Sequence, residues 1–508
     1  MGYRIPIVIL SCITLLSMTL FISCKGETKD VTKEEKPPNI IWLMAEDISL
    51  DLACYGMKAV QTPNLDQMAQ DGIRFNNAYV TNPICSPSRS AMMVGVHQLK
   101  TNSHNHRSNR EIPLSKPYVP FTKLLRDAGY TTILGHHGVQ GKGRKTDVNF
   151  KHKAVGEWNG KDEFGLFDKF DSIHPADTPF FAQIQLNITH RGDWWSEIRA
   201  QSKHPVHPDS VVLPPYYADH PTVRLDWAKY LDQMEYMDDE VGMLFKELEE
   251  KGLADNTVVI FIGDNGRCNL KGKGYLHDPG LRIPFLMKWP KGIAPNQIRN
   301  DVVSATDITA TIVTLAGIQI PEYMTGMSVL SKDFNRKEVY AARDLWDEIK
   351  EKSRALTDGK WKYIRNDKPE IPWEAGQAYL EFYRPAVHVM RTLKKEGTLN
   401  DQQKQFFSTS KPKEELYDIQ KDPFELNNLV DNDEFASVLE AMRIKTVSYD
   451  KAMYPVSPVY DPVHPSAVDL LAWVKTEKPE LYKEMLAGVE IGFQALNTEY
   501  QELHKTTK

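Results

Sequence analysis

The chain has 508 residues, of which 41% are hydrophobic and 26% are charged, and its formal net charge is −6. This composition predicts a large soluble globular protein and gives no indication of nucleic-acid binding. Beyond Cys24 only Cys54, Cys85 and Cys268 remain, and they are too few and too scattered to form a disulfide framework.

The N-terminus has the pattern of an export signal. Residues Ile5 to Ile22 are almost entirely apolar, follow Arg4, and end at Ser23-Cys24 ahead of a polar stretch. A short apolar region between a basic and a small residue is typical of a signal peptide rather than a membrane span. The small residue before Cys24 resembles a bacterial lipobox, which predicts a lipoprotein-type signal peptide over residues 1–23, lipid modification of Cys24 and a linker over residues 24–38. An ordinary signal peptide cut nearby is the alternative. We therefore expect an exported protein that a lipid anchors to the outer membrane or cell surface, with the periplasm as the alternative location.

Three apolar runs have the branched composition of buried strands. They cover Asn39 to Met44, Phe180 to Leu186 and Thr257 to Gly263. Between the second and third runs, apolar residues recur at steps of three and four from Trp227 to Leu248, which predicts a long helix that stops at Gly252. This alternation of strands and helices predicts an α/β fold.

Polar residues follow two of these strands. Glu46 and Asp47 come after the first run, and Asp264 and Asn265 come after the third. Ligand groups in open α/β sheets gather beyond the carboxyl ends of the strands, so these side chains meet if the two strand ends converge. Their oxygens suit a hard cation such as Ca²⁺ or Mg²⁺, whereas zinc and copper prefer nitrogen and sulfur. The alternative is that Asp264 to Gly266 forms only a turn and that the first acidic pair belongs to a solvated loop.

One free cysteine stands in an unusual setting. Cys85 is followed by Pro87, Ser88 and Arg89 in the order C-S-P-S-R, within a polar, turn-prone stretch. An odd free cysteine in an exported protein is either buried and inert or committed to chemistry. The polar surroundings favour a chemical role for Cys85.

The sequence pattern changes after residue 331. Short apolar segments at Val339 to Arg343, Ala355 to Thr357 and Trp361 to Arg365 include a hairpin signal at Asp358-Gly359. We predict a large domain over residues 39–331 and a smaller C-terminal α+β subdomain over residues 332–508, with a short antiparallel sheet and helices.

Several segments resemble type I sulfatases of the alkaline phosphatase superfamily, in particular bacterial polysaccharide sulfatases. Cys85 to Arg89 matches the family's C-x-P-S-R signature. Further likeness follows the family's order at Gln61 to Asp66, Gly72 to Tyr79, Gly272-Lys273, Pro279 to Pro284 and Glu415 to Glu425. The resemblance implies a large mixed, mostly parallel sheet sandwiched by helices, with a smaller C-terminal α+β subdomain.

The resemblance also implies a chemistry for Cys85. In that family the signature cysteine is oxidised to formylglycine (3-oxoalanine), here by a formylglycine-generating or an anaerobic maturation enzyme. The hydrated aldehyde attacks sulfur, forms a covalent sulfate ester, and returns to the aldehyde when sulfate leaves. One Ca²⁺ ion would lower the pKa of the attacking hydroxyl and offset charge on the sulfate oxygens. Its ligands would be residue 85, Glu46, Asp47, Asp264 and Asn265, although Glu46 stands where the family usually has an aspartate; Mg²⁺ stays open as the alternative ion.

Three further residues receive roles from the resemblance. Arg89 would hold the hydrated aldehyde and offset its charge. His190 would contact the sulfate or donate a proton to the leaving oxygen, and Lys273 would bind sulfate oxygens as a point charge.

The segment Lys145-Thr146-Asp147 departs from the family's usual pattern. It resembles the K-T-D-x-N stretch of some polysaccharide sulfatases, so Lys145 is expected in the site, with Asp147 where a histidine is more usual. The base that deprotonates the hydrated aldehyde therefore stays open among Asp147, His136 and His137.

The predicted substrate is a sulfated glycan. His104, His106 and Arg107 lie in a stretch that resembles G-x-H-H-H-R-S of some carbohydrate sulfatases, and with His136 and His137 they are the expected substrate-binding residues; the alternative is a polar surface loop. We expect hydrolysis of sulfate esters on a polysaccharide or oligosaccharide, for example an algal glycan such as ulvan. The alternatives are a phosphatase or phosphodiesterase of the same superfamily, and a noncatalytic glycan-binding lipoprotein.

Overall fold

The computed structural model describes residues 37–453 and 466–504. The predicted signal peptide, Cys24 and all but the last two residues of the predicted linker lie outside the described residues. Within the described ranges, no helix has the length and apolar character needed to cross a membrane.

The strands of the described residues carry the framework of the fold. In chain order they are β1 (Asn39–Ala45), β2 (Ile73–Tyr79), β3 (Thr131–Leu134), β4 (Lys153–Val155), β5 (Gly165–Phe167), β6 (Phe180–Leu186), β7 (Thr257–Gly263), β8 (Arg282–Lys288), β9 (Gln297–Ser304), β10 (Val339–Trp346), β11 (Ile349–Thr357), β12 (Trp361–Asn366) and β13 (Glu414–Asp418).

The helices cover the sheets and fill the C-terminal part of the chain. They are α1 (Pro63–Gln70), α2 (Cys85–Val94), α3 (Phe121–Asp127), α4 (Trp194–Gln201), α5 (Pro221–Glu250), α6 (Asp278–Leu281), α7 (Ala305–Leu315), α8 (Ala378–Tyr383), α9 (Pro385–Lys395), α10 (Asp401–Lys404), α11 (Ala436–Met453), α12 (Ser466–Glu477), α13 (Pro479–Leu486) and α14 (Phe493–His504).

The central sheet has seven strands in the order β3-β6-β1-β7-β8-β2-β9. Strand β8 runs antiparallel to both of its neighbours, and the other pairs are parallel. The large mixed, mostly parallel sheet expected from the sequence is therefore confirmed.

Strand β1 shows why this sheet needs helices on both faces. Ile40, Trp42 and Met44 pack into the hydrophobic core on one face, and the alternate residues Ile41 and Leu43 pack into the core on the other. Side chains alternate along a strand, so a run that is apolar at every position is stable only when both faces are covered.

The long helix α5 covers one face of the sheet and confirms the periodic pattern of the sequence. Its N-terminus is capped by His220, whose ring accepts from the backbone N of Thr222, and Pro221 fits the first turn. After the helix ends, Gly252 adopts a left-handed φ of 65°, as expected for the residue that stops a helix.

A second sheet lies in the C-terminal part, with the antiparallel order β10-β11-β12-β13. Gly359, with φ 84°, turns the chain between β11 and β12, which confirms the predicted hairpin. The other hairpin of this sheet turns at Asp347, where φ is 50°, and its tip contacts the candidate site described below. The predicted domain boundary at residues 331/332 falls between α7 and β10 and stays a prediction.

Candidate active site

The carboxyl ends of β1 and β7 meet at one edge of the central sheet. The two strands are parallel neighbours whose last residues lie opposite each other, so Glu46-Asp47 and Asp264-Asn265 leave the sheet side by side. The Asp47 backbone N donates to Asp264 Oδ1 at 3.0 Å, and Asn265 Nδ2 donates to Asp47 Oδ1 at 2.9 Å. The two strand ends therefore converge, as the proposed cation site requires.

Helix α2 carries Cys85 to this edge. Cys85 is the first residue of the helix, and Arg89 lies one turn further on. Arg89 Nε donates to Asp264 Oδ2 at 3.0 Å, and Ser88 Oγ donates to the Asp264 carbonyl oxygen at 2.6 Å. These two bonds fix the first turn of α2 against the end of β7, with Cys85 only 2% exposed.

Three ion pairs surround the strand ends, and all of their members are buried except the partly exposed Lys145. They are Lys145 with Glu46 (2.6 Å), Lys273 with Asp47 (2.7 Å) and Arg89 with Asp264 (2.9 Å). We call these six residues the strand-end cluster. Its three positive and three negative formal charges cancel, which offsets the cost of burying each of them.

The pKa values within the strand-end cluster differ from one carboxyl to the next. Burial alone would raise the pKa of Asp47, but Lys273 and His190 outweigh burial and lower that pKa to about 2. Burial acts on Glu46 in the same direction, and Lys145 above all brings its pKa below the ordinary value. Burial, reinforced by the two neighbouring carboxylates, raises the pKa of Asp264 in spite of Arg89. Asp264 is thus the carboxylate whose charge is least compensated by its surroundings.

The donor chemistry of the strand ends fits a hard cation. The strand ends offer the carboxylates of Glu46, Asp47 and Asp264 and the amide of Asn265. Asn265 Oδ1 is buried and has no hydrogen-bond partner among the described residues. Such an oxygen has an unused lone pair for a ligand. No three His, Cys, Asp or Glu side chains of the described part are arranged as a ready ligand set, and each carboxylate holds a lysine or arginine instead. Cation binding would therefore require Lys145 and Lys273 to release their partners.

His106 places an imidazole against residue 85. Its Nε2 lies 3.8 Å from Cys85 Sγ, and its Nδ1 lies 2.7 Å from Asp347 Oδ1. Asp347 also accepts from Gln377 Nε2 at 2.8 Å. Burial would lower the pKa of His106, but Asp347 outweighs burial and raises it. The hairpin tip between β10 and β11 thus orients the ring that faces residue 85.

His190 lies on the other side of the strand-end cluster. It follows β6 and a short 3-10 turn at Asn187–Thr189. Its Nε2 lies 3.8 Å from Glu46 Oε2, and its Nδ1 lies 3.0 Å from the Arg191 carbonyl oxygen. Nδ1 therefore carries the proton, and Nε2 points its lone pair into the site. Burial is the main cause that lowers the pKa of His190 to about 4, so the ring is neutral at neutral pH.

Asp147 lies beside Lys145 and pairs with two arginines whose side chains are partly exposed to solvent. Arg110 donates to Asp147 Oδ1, and Arg107 Nε lies 3.7 Å from the same oxygen. We call Arg107, Arg110 and Asp147 the mouth cluster. Burial would raise the pKa of Asp147, but Lys145, Arg107 and Arg110 outweigh it and hold that pKa well below its ordinary value. A carboxylate stabilised in its charged form by three cations is a weak base.

The remaining histidines of the sequence-based set have partners outside the strand-end cluster. His104 Nε2 lies 3.6 Å from Asp344, and His136 Nε2 lies 2.9 Å from Glu247. His137 is exposed, with Asp171 at 3.8 Å. The structure does not bring these three rings to residue 85, and their substrate-binding role stays a prediction.

Sequence reasoning missed several residues around Cys85. Trp346 and Leu380 pack with Cys85 in one apolar cluster, and Tyr379 lies against it. Asp347 orients His106 from far along the chain, where no local pattern marks it. Arg110 could have been found, because it belongs to the same basic stretch as Arg107.

Comparisons with known proteins identify the family to which the chain belongs. A family model for sulfatases matches residues 38–318. Two proteins of Formosa agariphila named ulvan-active sulfatase are each 29% identical to the chain; the alignments cover 85% and 88% of this chain and 79% and 88% of theirs. A solved structure of Ps i-CgsB in complex with k-i-k-neocarrahexaose shares the fold, with a TM-score of 0.56 at 20% identity over 88% of this chain and 100% of that one. The chain therefore belongs to the sulfatase family and is a sulfuric ester hydrolase.

Proposed function

We propose that this sulfatase removes sulfate from a sulfated polysaccharide or oligosaccharide, using formylglycine made from Cys85 and one bound Ca²⁺ ion. The main support is that Cys85, at the start of α2, and the acids that follow β1 and β7 lie at one edge of the sheet. Membership of the sulfatase family favours this function over the phosphatase and the noncatalytic lipoprotein considered above.

The proposed glycan class comes from the relatives. Two of them are named for activity on ulvan, and their alignments cover most of this chain. We therefore propose a sulfated glycan such as ulvan as the substrate. The half-buried ring of Trp194, whose centroid lies 6.4 Å from that of His190, offers an apolar face beside the site for a sugar.

Glu46, Asp47, Asp264 and Asn265 would hold the Ca²⁺ ion together with residue 85. When bound, the ion would supply positive charge to the sulfate oxygens and increase the acidity of a hydroxyl group on residue 85. The raised pKa of Asp264 and the unpartnered Asn265 Oδ1 support this assignment, since a cation would satisfy both.

The residues of the chain would hold the sulfate and the nucleophile in position. Lys145 and Lys273 carry ammonium groups that can turn from their carboxylates toward sulfate oxygens. Arg89, fixed by Asp264, keeps a guanidinium beside residue 85 to offset its negative charge. His190 directs Nε2 into the site, and an anionic sulfate ester nearby would favour protonation of that nitrogen for donation to the leaving oxygen.

The sequence leaves Asp147, His136 and His137 as candidates for the base that deprotonates residue 85. Asp147 is held ionised by cations, and the two histidines contact Glu247 and Asp171 instead. His106, oriented by Asp347, is better placed to hydrogen-bond an oxygen on residue 85. We therefore propose His106 as a positioning residue for the nucleophile.

The proposed function is tested by sulfate release from a panel of sulfated glycans. The chain is produced together with a formylglycine-generating or anaerobic maturation enzyme, and free sulfate is measured by ion chromatography. We expect release from at least one glycan, loss of release on chelation of divalent ions, and recovery on addition of Ca²⁺. Unchanged turnover by fully demetallated protein would contradict the cation site.

Export and lipid anchoring are also proposals, supported by the N-terminal pattern that ends at Cys24. The test is incorporation of a labelled fatty acid by the full chain in a bacterial host, with fractionation of the membranes. We expect label and membrane association in the natural chain and neither in Cys24→Ala. Equal membrane association of both chains would contradict the anchor.

A further inference from the structure

We infer that Arg107 and Arg110, held by Asp147, form a subsite for a second negatively charged group of the glycan, next to the sulfate that is removed. This inference rests on the proposed function and narrows its substrate class. The preferred glycan would carry two anionic groups close together, such as a sulfated sugar linked to a uronate.

Arg107 lies next to the residue that follows Cys85. Its backbone N donates to Ser86 Oγ at 3.0 Å, and Ser86 directly follows Cys85 in α2. The Arg107 backbone is therefore fixed beside the nucleophile position, while its side chain is 49% exposed. A glycan whose sulfate reaches residue 85 would have a neighbouring substituent within reach of this guanidinium.

The subsite is built around a buried acid, Asp147. The Asp147 side chain is only 7% exposed and pairs with both Arg107 and Arg110. Lys145 Nζ lies 3.8 Å from Asp147 Oδ2. Asp147 Oδ2 and Arg110 Nε are buried and have no hydrogen-bond partner among the described residues. Asp147 thus fixes the orientation of both guanidinium groups. Arg110 Nε is an N–H donor that no described residue uses, whereas Asp147 Oδ2 is an acceptor that faces Lys145.

The backbone of this part of the chain has several left-handed residues. Arg107, Asn109 and Asp147 adopt left-handed φ angles of 51°, 56° and 48°. Non-glycine residues rarely occupy this region, and they persist there only where the surrounding structure imposes it, often at ligand sites. Asparagine and aspartate adopt this region more readily than other residues, so the unusual residue is Arg107, whose backbone is fixed by its contact with Ser86.

The mouth cluster carries an excess of positive charge. The mouth cluster has two guanidinium groups for one carboxylate, and Lys145 is already paired with Glu46. Guanidinium groups bind planar carboxylates and sulfate oxygens through paired N–H donors. The half-exposed positive charge therefore suits an anionic substituent, and either a uronate carboxylate or a second sulfate would supply that chemistry.

The test compares three oligosaccharides that share the same scissile sulfate. One carries an adjacent uronate, the second is its carboxyl-reduced counterpart, and the third carries a second sulfate in place of the uronate. For the matured enzyme we expect kcat/KM for one or both charged substrates to exceed that for the neutral one by about 10- to 100-fold, since a charged hydrogen bond contributes on this scale. The substrate with the larger ratio identifies the anionic group that is recognised.

The variants Arg107→Gln and Arg110→Gln should each lower this ratio by about 10-fold, while Arg107→Lys should keep part of it because charge remains without the paired donors. Arg224→Gln is the matched control, since Arg224, in the first turn of α5, pairs with the exposed Asp219. It should leave the ratio unchanged. The preference of the natural enzyme should also decrease as salt is added.

The outcomes separate the two proposals. If the natural enzyme releases sulfate but does not prefer the charged substrates, or if both glutamine variants keep the preference, the anionic subsite is wrong. If the matured natural enzyme releases no sulfate from these substrates or from the wider glycan panel, the proposed function itself is wrong.

Discussion

The strand-end cluster and the mouth cluster both join carboxylates to lysine or arginine, but they differ in burial and in charge balance. In the strand-end cluster three acids and three bases cancel, and Lys273 and Asp47 are almost fully buried. In the mouth cluster one acid faces two half-exposed arginines. The deep charges are thus balanced among themselves, whereas the outer cluster has an excess of positive charge that is open to solvent.

The largest effect should come from Cys85, which lies against the strand-end cluster. We expect Cys85→Ala to lower sulfate release by at least about 10³-fold, because the variant has no side chain that can become the nucleophile. The fold should persist, since the bonds that fix α2 to β7 come from Ser88 and Arg89. Sulfate release and circular dichroism measure the two effects, and natural turnover in the variant would contradict the assignment.

The difference in burial between the clusters can be measured as stability. We expect Asp47→Asn to lower the free energy of unfolding by about 3 kcal/mol, because it leaves Lys273 buried without a counter-charge. Asp147→Asn should cost less, because Arg107 and Arg110 are partly exposed and can turn to water. Denaturant unfolding in the presence of a chelator compares the two variants without a bound cation. Equal losses would mean that burial does not distinguish the clusters.

The hairpin tip between β10 and β11 links the small sheet to residue 85 through His106. We expect Asp347→Asn to lower kcat by about 10-fold with a smaller effect on KM, because His106 loses the partner that orients its ring. Asp344→Asn is the control. Asp344 lies on β10 close to the hairpin tip, but its neighbours are His104 and Arg354 rather than His106. An effect of the same size in both variants would indicate general damage to this hairpin rather than orientation of His106.

A buried carboxylate without a cationic partner completes the contrast with the strand-end cluster. Burial raises the pKa of Glu240 to about 7 from its ordinary value of 4.5, and Glu240 Oε1 accepts only from the backbone N of Gln140 at 2.6 Å among the described residues. The folded protein therefore binds this proton more tightly than the unfolded chain. The free energy of unfolding should fall as the pH rises from about 4.5 to about 7, and this loss should persist at higher pH.

Glu240→Gln removes this titration and keeps an acceptor for Gln140. We compare the free energy of unfolding of the variant with that of the natural protein. Between about pH 4.5 and a pH above 7, this difference should change in favour of the variant by up to about 3 kcal/mol. Unfolding measured across this pH range tests it, with Glu250→Gln, an exposed residue at the end of α5, as the control. A difference between natural protein and Glu240→Gln that does not change with pH would contradict the raised pKa.

The part of the site that could be predicted from the sequence is the part carried by local patterns. Apolar runs followed by acids identified β1 and β7, and their parallel pairing brought Glu46 and Asp264 together. The C-x-P-S-R stretch identified Cys85 and Arg89, and the K-T-D stretch identified Lys145, which does reach Glu46.

The remaining part depends on contacts between distant segments. Asp347 reaches His106 only because the small sheet packs its hairpin tip against the site, and nothing in the sequence around Asp347 indicates that contact. The antiparallel direction of β8 between β7 and β2 was equally hidden, since Ile283 to Met287 is an apolar run like those of the parallel strands β1 and β7. His136 and His137 lie beside Glu247 and Asp171, and the role that their sequence pattern predicts stays a prediction.

The central claim is that residue 85 acts as formylglycine. The most direct measurement is mass spectrometry of the peptide that contains residue 85, taken from enzyme that has been shown to release sulfate. We predict a peptide in which the thiol has been replaced by an aldehyde or its hydrate, in a fraction that rises in proportion to activity. Active enzyme whose peptide carries only an unmodified cysteine would contradict the account.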